Sequence, residues 1–211
     1  ISRYWIARYS AYPAMWTLGQ EVDRDFFFTQ TNDAHGHDDW GMANNPYKLV
    51  AEYLYKYDPY QHPLSAHQEG STYTDSSNSS FRDVKGHTWW ATQWKPSLTT
   101  EKGHEKAKTF MTNNQGKPLI NYEPYYVWLQ TKNFGGRAQG WMSFLSGFAG
   151  HAYGAQDTWA FTNAYVENET KCYDGVDTNT SEEKTNAKWT DAKEYPVSIQ
   201  LTYMKKFLTG T

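Results

Sequence analysis

Five short apolar runs, each leading into a longer connection, constrain this chain more than any other feature. The runs are Ala14–Leu18, His62–His67, Thr88–Trp94, Pro118–Tyr122 and Phe148–Tyr153. Each has the length and residue types of a strand. The connections carry helical spacing instead. Asn45-Pro46 makes an N-cap and first helical position, and Tyr47, Val50, Leu54 and Tyr57 follow on one face as far as about Asp58. Thr100–Asn113 turns Ala107, Phe110 and Met111 inward, while Ala138, Trp141, Met142 and Leu145 repeat at helical intervals. Ser2–Tyr9 is a first helix, and Val197, Leu201, Met204 and Leu208 form a last one; residues 160–194 read as a polar excursion with little core. Strands alternating with helices predict an α/β fold with parallel pairing and helices outside. Five such units fit an open sheet or the larger part of an eight-fold β/α barrel.

In either architecture ligands gather at the carboxyl ends of the strands. Two acids fall at such ends: Glu21, after the Ala14–Leu18 run, and Glu123, after Pro118–Tyr122. An acid beside a buried strand is paired or meets a ligand. Two glutamates facing each other across a barrel mouth suit glycoside hydrolysis, with retention at about 5 Å separation and inversion at about 6.5–9.5 Å. The plain alternative is a pair of glutamates solvated in loops. The neighbouring residues favour a site: Trp16 and Gln20 before the first acid, Tyr122, Tyr125, Tyr126 and Trp128 around the second, and His62 and His67 at the second run. Gln93 and Trp94 stand at the third run, with His151, Tyr153 and Trp159 near the last.

Composition narrows the partners. A net charge of −3 argues against a nucleic-acid binder, which needs a basic face to neutralise phosphates. No stretch approaches the ~20 uninterrupted apolar residues of a membrane-spanning helix. The single cysteine, Cys172, excludes an internal disulfide, and sequons occur at Asn78, Asn168 and Asn179. The outlier is aromatic content, 10 Trp, 17 Tyr and 10 Phe in 211 residues, beside a mean hydropathy of −0.86. Rings stack on sugar C–H faces while polar groups take the hydroxyls; an aromatic core would give the same composition.

The segments RYSAYPAMWTLGQEVD, HPLSAH, KPLINYEPYY and GFAGHAYGAQDTW, in that order, resemble strands four to eight of apiosidase-like glycoside hydrolases, and the likeness extends to the closing QLTYMKKFL helix. The resemblance implies a (β/α)8 TIM-barrel type fold, of which residues 1–211 supply the C-terminal part, roughly strands 4–8. It implies a retaining hydrolase of a plant or algal polysaccharide or oligosaccharide, extracellular or periplasmic, with Glu21 as acid/base and Glu123 as nucleophile. Trp16, Gln20, His62, His67, Gln93, Tyr122, Tyr125, Tyr153 and Trp159 are the expected substrate contacts, with no metal and no cofactor. Gln20 stands where the wider clan usually has Asn. Strands one to three have no counterpart in the sequence, so the rest of the barrel is expected from unlisted sequence, another chain, or a shorter related architecture.

Two other readings compete. The same scaffold could be a non-catalytic carbohydrate-binding protein. The stretch His35-Gly36-His37-Asp38-Asp39 could hold a divalent ion, but lacks the helical or strand spacing that pre-shapes a metal site, and a polar loop after the first strand is the simpler reading. Trp89 and Trp90 would point to opposite faces of a strand, so only one can line a site. Arg137 either meets a carboxylate near the site or begins its helix. His104 and the charge-rich Ser181–Lys193 stretch read as solvated surface.

Overall fold

The computed structural model of the chain describes residues 1–22, 45–67, 81–94, 102–114, 116–127, 134–159 and 188–210. The His35–Asp39 stretch, Trp128, Cys172, the three sequons, most of the 160–194 excursion and the His104 side chain lie outside the described residues. Within them the elements run α1 (Ser2–Tyr9), β1 (Trp16–Thr17), α2 (Pro46–Tyr57), β2 (Leu64–Ser65), β3 (Trp90–Thr92), α3 (Lys102–Asn113), β4 (Leu119–Asn121), α4 (Phe134–Leu145), β5 (Gly150–His151), α5 (Gln156–Trp159), α6 (Trp189–Ala192) and α7 (Pro196–Thr209). All five expected strands form, each shorter than its apolar run.

Every strand pairing among the described residues is parallel. Trp16 faces Leu64 and Thr17 faces Ser65; Trp90, Ala91 and Thr92 face Leu119, Ile120 and Asn121; Ile120 and Asn121 face Gly150 and His151. Single bridges, Leu64 to His87 and His67 to Ala91, join β2 to β3. The spatial order is therefore β1 to β5 in chain order, the arrangement of consecutive units of a β/α barrel.

Local chemistry explains the helices. The Asn45 side chain accepts from Tyr47 N–H at 3.0 Å, Pro46 supplies a pre-set φ, and Ala51 and Leu54 face the sheet, so α2 starts and packs as its sequence predicts. The last helix, α7, begins at Pro196 and stops at Gly210, whose φ of 69° is left-handed. It lies close against α4 because Gly140 has no side chain: a Cβ there would stand 3.0 Å from Leu201 Cδ2.

The core is aromatic. Trp90, Trp94, Ala107, Phe110, Leu119 and Phe148 form one cluster between the sheet and α3, with Met142 of α4 against it. Trp89 is also buried but turns to the other side, its ring 5.8 Å from that of Tyr122. A second cluster joins Val127, Ala155, Ala192, Tyr195 and Val197, so the end of the polar excursion does contribute core. Arg137 donates to Gln200 on α7 at 3.0 Å.

Candidate active site

Glu21 follows β1 with a φ of 52°, a left-handed backbone that a non-glycine residue adopts at a cost of roughly 1–2 kcal/mol. Its neighbours impose that conformation. Val22 is buried against Ala66 and Phe81, its N–H donates to His67 O, and its carbonyl accepts from the Asn45 side chain. His67 N–H donates back to Gly19 O at 3.2 Å. The chain is thus tied to β2 on both sides of Glu21.

Glu123 is fixed by a separate device. Tyr122 N–H and Glu123 N–H both donate to Thr92 O, at 2.7 and 3.2 Å, which extends the β3–β4 pairing past the strand end. Two residues beyond Thr92, past the end of β3, the Trp94 backbone is held by the buried Asn121 side chain, which accepts from Trp94 N–H and donates to Trp94 O, each at 3.0 Å. Gln93 lies between these two ties.

The Gln93 side-chain nitrogen donates to both acids, at 2.5 Å to Glu21 Oε1 and 3.2 Å to Glu123 Oε2. The two carboxylate oxygens are therefore at most about 5.7 Å apart, the end-to-end limit of 2.5 and 3.2 Å. Gln20 Nε2 donates to Glu123 Oε2 at 3.4 Å, and His67 Nε2 lies 3.3 Å from the same oxygen. Three side-chain nitrogens thus stand within 3.4 Å of this one oxygen.

A cleft of about 210 Å³ opens beside this cluster. Six residues named from the sequence line it: Gln20, His67, Tyr122, Glu123, Tyr153 and Trp159. Pro124, Tyr126 and Gly154 complete the wall. The Tyr126 and Trp159 rings are stacked at 6.2 Å, and the His67 ring meets Tyr122 edge-on at 5.3 Å. Burial pushes the Tyr153 phenol up to about 12, so it is a neutral hydroxyl at ordinary pH, and that hydroxyl has no hydrogen-bond partner among the described residues.

Glu21 and Gln93 adjoin the cleft without being among its lining residues, and three expected contacts lie elsewhere. Trp16 begins β1 and His62 precedes β2, so both sit at the foot of the sheet, where Trp16 Nε1 and His62 Nδ1 meet Asp58 Oδ2 at 3.0 and 2.8 Å. Tyr125 does not line the cleft; its N–H donates to Gln139 Oε1 at 3.0 Å. Tyr126, absent from the expected contacts, takes the place given to Tyr125. Strand-like alternation Tyr122, Pro124, Tyr126 was the available signal, since every second residue shares a face. His151 is turned inward to Ser143 Oγ at 3.2 Å, and burial lowers its imidazole to about 4.

Comparison with known proteins identifies the family and the fold. The sequence model described as the apiosidase-like catalytic domain matches residues 1–211. No curated protein matches. A solved glycoside hydrolase family 5 protein from Bacteroides vulgatus superposes with a TM-score of 0.63 at 16% identity, over 98% of this chain and 43% of its own. Another solved structure, described as a glycoside hydrolase, gives 0.64 at 17% identity, over 100% of this chain and 46% of its own. The chain shares the mixed α/β fold of these proteins and spans less than half their length.

Proposed function

Because the chain belongs to the apiosidase-like catalytic-domain family, we propose that it carries the acid pair of a retaining glycoside hydrolase. The observation that supports this most is the shared Gln93 nitrogen, which holds Glu21 Oε1 within about 5.7 Å of Glu123 Oε2. Retention uses acids about 5–5.5 Å apart, whereas inversion uses about 6.5–9.5 Å to admit a water. Glu123, in the cleft wall and surrounded by nitrogens, attacks the anomeric carbon; Glu21 protonates the departing oxygen and then takes a proton from the incoming water. Tyr122, Tyr126 and Trp159 offer ring faces to the sugar, and the Tyr153 hydroxyl offers it a hydrogen bond. The substrate is a glycoside of a plant or algal polysaccharide or oligosaccharide, met outside the cytoplasm, and no cofactor is required.

The remaining strands of the barrel are supplied by sequence outside these 211 residues or by another chain, and the assembled protein is the one to assay. A panel of aryl glycosides that includes an apioside identifies the sugar, and proton NMR follows the first-formed product. We expect the anomeric configuration to be retained and Glu123→Gln to abolish turnover while sugar binding persists. An inverted first product rejects the mechanism. Sugar binding without turnover on any glycoside would make the protein a carbohydrate binder.

A further inference from the structure

We propose that Gln93 is a positioning residue that sets the spacing and the proton sharing of the two acids, rather than a substrate contact. The inference rests on the hydrolase reading and adds a role to it. Gln93 is 7% exposed, so little of its side chain is open to a bound sugar. Its amide nitrogen instead donates to Glu21 Oε1 and Glu123 Oε2. An amide NH2 has two hydrogens and can serve two acceptors at once, which suits it to stand between like charges.

The backbone holds this amide in the frame of Glu123. Residue 92 accepts from Tyr122 and Glu123 through its carbonyl, and residue 94 is bound on both sides by Asn121. Gln93 cannot shift relative to Glu123 without breaking one of these ties. Glu21 arrives from β1 on its own strained turn, so the Gln93 bond to it fixes the distance between two independently anchored acids. Beside the two acids themselves, the titratable groups of the cleft among the described residues are His67 after β2, Tyr122 and Tyr126 after β4 and Tyr153 after β5, with neutral Gln20 alongside.

Two substitutions separate this role from a substrate contact. Gln93→Met keeps the length of the side chain and removes the donor; Gln93→Asn keeps an amide one methylene short, able to reach one acid and not both. In the assembled enzyme, each is expected to lower kcat by about 10- to 100-fold, the cost of a misplaced catalytic group, with KM changed less than about twofold. Loss of a donor to carboxylates favours their protonated forms, so the pH–rate profile of the pair moves to higher pH. Circular dichroism and the melting temperature of each variant guard against simple unfolding, and Gln93→Asn remains available if Gln93→Met does not fold. A rise in KM with an unmoved pH profile, or no change in either variant, overturns the proposal. Glu123→Gln distinguishes the two levels: if it abolishes turnover while both Gln93 variants behave as wild type, the positioning role alone falls.

Discussion

Gly154→Ala tests the cleft wall directly. A Cβ built on Gly154 would lie 2.3 Å from Tyr126 Cδ1 and 2.4 Å from Cε1. Carbon atoms rest at about 3.5–4.0 Å, so the ring has to retreat by roughly 1.2 Å. Overpacking of this kind costs about 1–3 kcal/mol, which for a unit of this size lowers Tm by roughly 2–10 °C. The ring is also stacked on Trp159, so its retreat moves the aromatic wall beside Glu123. We expect a higher KM for a reactive aryl glycoside together with the lower Tm. A double-mutant cycle with Tyr126→Ala supplies the discriminating measurement, because contacting residues are non-additive. In the Tyr126→Ala background, Gly154→Ala is expected to cost almost nothing. Equal destabilisation in both backgrounds would refute the assigned clash.

Two further outcomes concern pH. Burial, and then the Lys117 charge, lower the His87 imidazole to about 3, so the folded chain leaves it neutral where the unfolded chain, near 6.5, binds a proton. Its stabilisation is complete above about pH 6.5 and erodes as pH falls towards 3, by about 2–3 kcal/mol at pH 4.5; His87→Leu should lose stability less steeply between pH 7.5 and 4.5 in urea denaturation, and an unchanged slope would reject this. Asp58 is raised by burial but lowered further by donors from Trp16, His62 and the Tyr60 and His62 backbone, and its net shift is downward. Its contribution is present above the ordinary carboxylate value and lost as pH falls through the folded one, so Asp58→Asn should be destabilising at pH 7 by about 2–4 kcal/mol and the deficit should narrow near pH 3; a deficit independent of pH would count against it.

The strand positions and the α2 cap were legible because each depends on neighbours in sequence. Asn45-Pro46 starts its helix wherever the rest of the chain lies. The acids were legible for a related reason: residues just after parallel strands share one rim. His62 shows the converse. It precedes Leu64, the first residue of β2, and a residue on that side of a parallel strand reaches the foot of the sheet. Trp16, the first residue of β1, follows the same rule. The role of Gln93 was not legible, because it depends on the register that sets Thr92 opposite Asn121 and on the Glu123 N–H turning back to Thr92 O, which together bring the Gln93 side chain to Glu123.

The Gln93 register also bears on why an acid ends the first apolar run. The left-handed turn at Glu21 costs roughly 1–2 kcal/mol, and each carboxyl taken from water gives up part of its hydration. Against this stand the hydrogen bonds from Gln93 to both acids and from Gln20 to Glu123, each worth about 1.5–3 kcal/mol when the acceptor is charged. A chain selected for stability alone has no need of an acid on a strained turn at 21 or of a bridging amide at 93. The proposed hydrolysis accounts for two carboxylates, a strained backbone and a bridging amide kept together.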